Sequence, residues 1–199
     1  MATHRNDRHI DDDRARSKHS TSAPDETWRQ AKHPKVRLAG GYGSPVHSTL
    51  VPVPIGCWLA SLVFDVASWI GGPVQALYVG SYWLIAIGVV VAVAAAVFGF
   101  LDLLQVPAGT HVQRIGLVHM GLNLTATTLY LGSFLLRWAW PPPVSGGVPV
   151  GLVALSGAAF ALLAVSGHLG GRLAYRYGVR VADELAQREG YDTDTNEDR

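Results

Sequence analysis

Four predominantly apolar stretches lie in the middle of the chain, at about 50–70, 82–104, 112–136 and 148–171. Each has roughly the 20 residues a helix needs to cross about 30 Å of hydrocarbon. A membrane β-strand alternates apolar and polar positions with period two, but residues 89–96 are Val and Ala without interruption. The pattern therefore predicts an all-α fold, a four-helix transmembrane bundle. Breakers separate the spans. Gly71-Gly72-Pro73 interrupts an uncharged run too long for one crossing. Trp138, Trp140 and the three prolines 141–143 close the third span, with aromatic rings where a headgroup belt would lie.

The distribution of charge sharpens this picture. Of 16 Lys and Arg and 15 Asp and Glu, only Asp65, Asp102, Arg114 and Arg137 fall between residues 38 and 171. A charge at the bilayer centre is costly, so such depletion fits a lipid-facing bundle. Residues 1–45 combine mixed charge with Ser, Thr, Pro and Gly. They read as a disordered N-terminal tail with too little apolar surface to offset ordering entropy. The transmembrane domain is expected over 46–178, and a hydrophilic C-terminal tail over 179–199. No cleavable signal peptide is read in the first 37 residues. Nine Lys and Arg precede the first span and five follow the last, against Arg137 alone on the opposite side. The positive-inside rule then puts both termini in the cytoplasm of a multi-pass inner (plasma) membrane protein. No basic face with interleaved aromatics points to nucleic acid. The expected partner is the lipid bilayer, with a homo-oligomer or a membrane partner protein open. The single Cys57 lies in an apolar run and reads as a small buried residue.

Chemistry is confined to the few polar groups inside the spans. At about 1.5 Å per residue, His119 lies roughly 10 Å and Asn123 roughly 16 Å in from the cytoplasmic end of the third span. His47 precedes the first span, His168 ends the fourth, and His111 and Asp102 flank the loop between spans two and three. His119, Asn123 and Thr127 repeat every four residues and form one polar stripe, expected to face the interior because lipid cannot satisfy it. Asp65 lies nearer the outer face, where Arg137 can reach inward. It reads equally as a functional carboxylate or as half of a structural ion pair. In the fourth span, Ser166-x-x-x-Gly170 and Gly167-x-x-x-Gly171 are spaced for close helix packing.

Residues 44–56, SPVHSTLVPVPIG, followed by Asp65, resemble the opening of the bacterial membrane family "domain of unknown function 2231". The resemblance continues through Gly99–Asp102, His119 with Asn123, and residues 167–175 with Gly178, covering about 46–180. It departs at Ser44 and Ser48, where members often carry a second His and a further Pro. The resemblance implies a four-helix membrane domain and no established activity.

Three functional readings follow. In the first, the chain is a non-catalytic membrane scaffold or partner subunit whose polar groups are packing devices. In the second, it binds haem b or is redox-linked, with His119 and His168, or His47 and His119, as axial ligands. In the third, a divalent metal or proton site serves a small permease or accessory subunit, built from His, Asp and Asn. Cofactor candidates are thus His119, His168 and His47, with Asp65, Asp102 and Asn123 as further site residues. No nucleophile–base pair is legible, so no enzyme is expected.

Overall fold

A computed structural model describes residues 31–32, 40–41 and 43–189. Among these the chain is all helical. The order is α1 (Val46–Leu50), α2 (Pro52–Ala67), α3 (Val74–Leu103), α4 (His111–Ala139), α5 (Val150–Gly171), a π-helical turn (Arg172–Arg176) and α6 (Glu184–Glu189). Three stretches are long and apolar enough to cross a membrane: Val46–Ala67, Val74–Leu103 and Val150–Arg176. Helix α4 has 29 residues, which at about 1.5 Å each is ample length. It falls outside that set because His119, Asn123 and a run of threonines dilute its apolar character.

Local sequence explains where the helices start and stop. Pro52 falls at the first position of α2, where a missing N–H breaks no helical bond. The break at Gly71-Gly72-Pro73 is where expected, with Gly71 at a φ of 111° that suits glycine. Helix α3 begins directly after it, eight residues before the expected start at 82, because between Val74 and Ser81 only Gly80 weakens a helix and no proline stops one. Its 30 residues exceed a perpendicular crossing, so the helix tilts or extends past the hydrocarbon. Thr110 caps α4, its hydroxyl accepting from Gln113 N at 3.1 Å.

Helices adjacent in sequence pack side by side, and α2 closes the ring against α5. Every long helix turns inward a seam of alternating three- and four-residue steps. On α3 it is Tyr78, Ser81, Ile85, Gly88, Ala92 and Ala95; on α2, Pro54, Trp58, Ser61 and Asp65. On α5 it is Ser156, Ala159, Leu163 and Ser166. This is the spacing of left-handed bundle packing. The seam is rich in small and polar residues, while Trp83, Ile87, Val90, Val93 and Val97 are exposed on the outer face of α3. A bundle whose solvent is lipid has this inside-out character, because apolar side chains gain nothing by leaving the surface.

The middle of the seam is apolar and closely packed. Trp58 stacks on Tyr130 with ring centroids 4.2 Å apart and planes 9° from parallel. The Trp58 indole N–H donates to Ile85 O at 3.4 Å, and the Tyr130 hydroxyl to Ser156 O at 3.1 Å. Gly88 is needed here because a Cβ at that position would run into the Trp58 ring. This layer separates two polar layers, one toward each end.

Most of the expected N-terminal tail, and residues 190–199, lie outside the described residues. The segment after 178 begins inside the folded unit. Arg180 is buried with a φ of 61°. Its N–H donates to Ala31 O at 3.2 Å and its Nη2 to Gly40 O at 3.2 Å.

Candidate functional site

The polar layer near the α2–α3 turn centres on an ion pair. Arg137 Nη2 donates to Asp65 Oδ2 at 2.5 Å, and both side chains have zero exposure. Arg137 Nε reaches Ser133 Oγ at 3.4 Å, and the guanidinium lies over the Tyr78 ring, 5.1 Å from its centroid. The Tyr78 hydroxyl donates to Arg137 O at 3.2 Å. Below the carboxylate, the Ser68 hydroxyl donates to Asp65 O at 2.6 Å and accepts from Val148 N at 2.9 Å. The Trp69 indole donates to Val148 O at 2.9 Å. This layer therefore ties the α2–α3 turn to the segment entering α5. Of the two roles open to Asp65 in the sequence, the structural ion pair is the one the geometry displays. Thr127, the last residue of the His119–Asn123–Thr127 stripe, is half-buried beside the seam; Ala126 and Tyr130 occupy the inward positions.

The second polar layer lies at the other end of the bundle. His119 Nδ1 faces Ser166 O at 2.8 Å and Ser166 Oγ at 2.9 Å. The Ser166 hydroxyl donates to His119 O at 3.1 Å, so its proton is committed and Nδ1–H is the donor of the pair. Asn123 Nδ2 donates to His119 O at 3.0 Å and stands 3.1 Å from His119 Nε2. His47, on α1, directs Nδ1 at Ala95 O, 2.8 Å away. A carbonyl only accepts, so this ring also carries its proton on Nδ1. The two imidazoles meet edge to face, with centroids 6.3 Å apart and planes at 89°.

Two glycines make this arrangement possible. A Cβ on Gly99 would stand 2.8 Å from His47 Nδ1, and one on Gly170 would stand 2.9 Å from His119 Cε1. Each ring thus lies directly on the backbone of a neighbouring helix. Close approach is the role expected of Ser166 and Gly170, and what approaches is an imidazole. A Cβ on Gly167 or Gly171 would meet nothing within 4 Å, so neither of these glycines seats a neighbouring element.

Asp102 completes this end. Its carboxylate pairs with Arg180 Nε at 2.9 Å and lies within electrostatic reach of His47. Arg180 was not among the residues the sequence singled out, because it falls in a stretch that reads as a charged tail. The one local signal is Gly178, at a φ of 65°, which turns the chain back toward the bundle.

His168 and His111 lie outside the cluster. His168 is exposed. Two residues from the inward Ser166, it is rotated by about 200° on a helix of 3.6 residues per turn. Of the two histidine pairs the sequence offers, the structure brings His47 and His119 together and leaves His168 apart. His111 is exposed and meets Tyr177 edge to face at 6.0 Å. Among the described residues, no three His, Cys, Asp or Glu side chains gather around one point.

The family model described as "Predicted membrane protein (DUF2231)" matches residues 43–183. The chain belongs to that family. The matched region opens just before His47 and closes just after Arg180, so both polar layers, including the Asp102–Arg180 pair, fall within the family domain. No curated protein and no solved structure is significantly similar to the chain. Membership establishes a helical membrane protein set in a lipid bilayer.

Proposed function

We propose that the chain is a four-span, non-catalytic membrane scaffold or partner subunit, with both termini in the cytoplasm of the inner membrane. The observation that carries this reading is the pairing of interior polar groups with one another. Asp65 is consumed by Arg137, His119 by Ser166 and Asn123, His47 by Ala95 O, and Asp102 by Arg180. Such networks fix helix register and hold a bundle together where lipid offers no partner. Helix α4 supplies half of each polar layer, which supports counting it as the fourth span: its stripe faces its neighbours and its outer face is Leu-rich. Lys and Arg concentrated in both tails support the orientation.

Absorbance spectra of the purified full chain, oxidised and reduced, test the non-catalytic reading against a haem-linked one. The scaffold reading predicts no haem Soret band and no redox-dependent visible bands. A stoichiometric haem spectrum would overturn it.

A further inference from the structure

We propose that Arg172, Arg176 and His111, gathered around Tyr177, form a docking surface for the phosphate headgroup of an anionic phospholipid. The inference does not depend on the number of spans, on the side where the termini lie or on the scaffold reading.

The surface is built by the π-helical turn that follows α5. The Tyr177 N–H donates to Arg172 O at 3.1 Å, a bond that spans five residues. Turns widened in this way are frequent at functional positions. This one brings together Arg172, Arg176 and Tyr177. Arg172 Nη2 donates to the Tyr177 hydroxyl at 3.4 Å. The Arg176 guanidinium lies over the Tyr177 ring, 5.8 Å from its centroid, within cation–π range. His111, the first residue of α4, meets the same ring edge to face at 6.0 Å and adds an N–H donor. Donors from two helices are thus collected on one phenol.

No carboxylate answers them. The sequence holds no Asp or Glu between Asp102 and Asp183. Asp102 is taken by Arg180, and among the described residues neither Arg172 nor Arg176 is in an ion pair. Two guanidiniums held around one ring without a counter-charge repel each other, and an external anion relieves that repulsion.

Position decides which anion. The apolar stretch Val150–Arg176 ends on this turn, at the level of lipid headgroups. Tyr175, 92% exposed on the same turn, is an aromatic of the kind that anchors at this level. Arg176 and His111 are exposed while Arg172 and Tyr177 are half-buried, so the surface opens outward from the bundle. A phospholipid headgroup carries several acceptor oxygens, so the donors need not aim at a single atom. Each arginine at a membrane surface strengthens the attraction to anionic lipid about fivefold.

The test titrates the purified full chain in a neutral detergent with phosphatidylglycerol, with phosphatidylcholine of the same acyl chains, or with inorganic phosphate. Bound lipid is counted by native mass spectrometry, and stability is read as the thermal midpoint. Phosphatidylglycerol is expected to be retained and to raise the midpoint; phosphatidylcholine and inorganic phosphate are expected to do neither at the same concentration. Arg172→Gln and Arg176→Gln should each weaken retention about fivefold, and the double variant about twenty-fivefold. Arg199→Gln removes one charge from the same tail and should leave retention unchanged. Melts without lipid show whether each variant is folded, and exposed Arg176 can be changed with little loss of packing. Equal retention of the two lipids, or wild-type retention in the double variant, would overturn the surface. So would equal weakening by Arg199→Gln, which reduces the effect to net charge, or protection by inorganic phosphate alone, which makes the ligand a soluble phosphate. None of these results alters the haem spectrum that tests the scaffold reading.

Discussion

Replacing Asp65 by Leu is expected to destabilise the bundle by about 3–5 kcal/mol, the usual consequence of removing one member of a buried ion pair. The reason is what remains. Arg137 is 2% exposed, and its Nη1 has no bond among the described residues. Without the carboxylate it keeps a full charge in a site closed to water. Asp65→Asn keeps an acceptor for Nη2 and should be milder. The Asp65→Leu/Arg137→Leu double variant should be closer to wild type than either single, because it removes both charges and leaves apolar atoms in the bundle interior. Reversible unfolding in mixed micelles gives the four stabilities of the cycle. Additive losses in the double variant would show that the two residues act separately.

Trp58→Ala should be comparably severe, about 3–5 kcal/mol, the range for emptying a buried aromatic site. Trp58 is 1% exposed, stacks on Tyr130 and fills the space left by Gly88. The loss comes mainly from the cavity and the broken stack, since transfer from lipid to the bundle interior contributes little. Trp83, 60% exposed on the lipid side of α3, is the internal comparison. Its change to Ala should fall within about 0.5 kcal/mol, as at other surface positions. The same unfolding assay decides, and equal losses at the two tryptophans would contradict the inside–outside assignment.

Much of the fold was legible because lipid imposes a coarse rule: long uncharged runs between breakers become helices. The inward faces were harder to read. In α3 apolar residues surround the whole helix, so periodicity in hydrophobicity does not mark its seam, which is set instead by Ser81, Gly88, Ala95 and Asp102 at steps of seven. Asp65 and Arg137 could be matched by letting the long Arg137 side chain reach inward from the end of its span, since few charges compete at that level. The histidine cluster could be placed at the right end of the bundle but not resolved. His168 has the right depth and the wrong azimuth, and depth was all that span boundaries provided. His47 gained its position from a short helix, α1, set against α3. Arg180 was invisible because pairing with Asp102 requires the chain to double back after Gly178, a fact of tertiary structure rather than composition.

The most direct test concerns whether α4 crosses the membrane, since both polar layers are built on it. Topology reporters fused after Gly72, Ala108, Ser145 and Arg199 are expected to lie outside, inside, outside and inside. If α4 does not cross, the reporters after Ala108 and Ser145 will share the inner side and the one after Arg199 will lie outside, and the four-span bundle is contradicted.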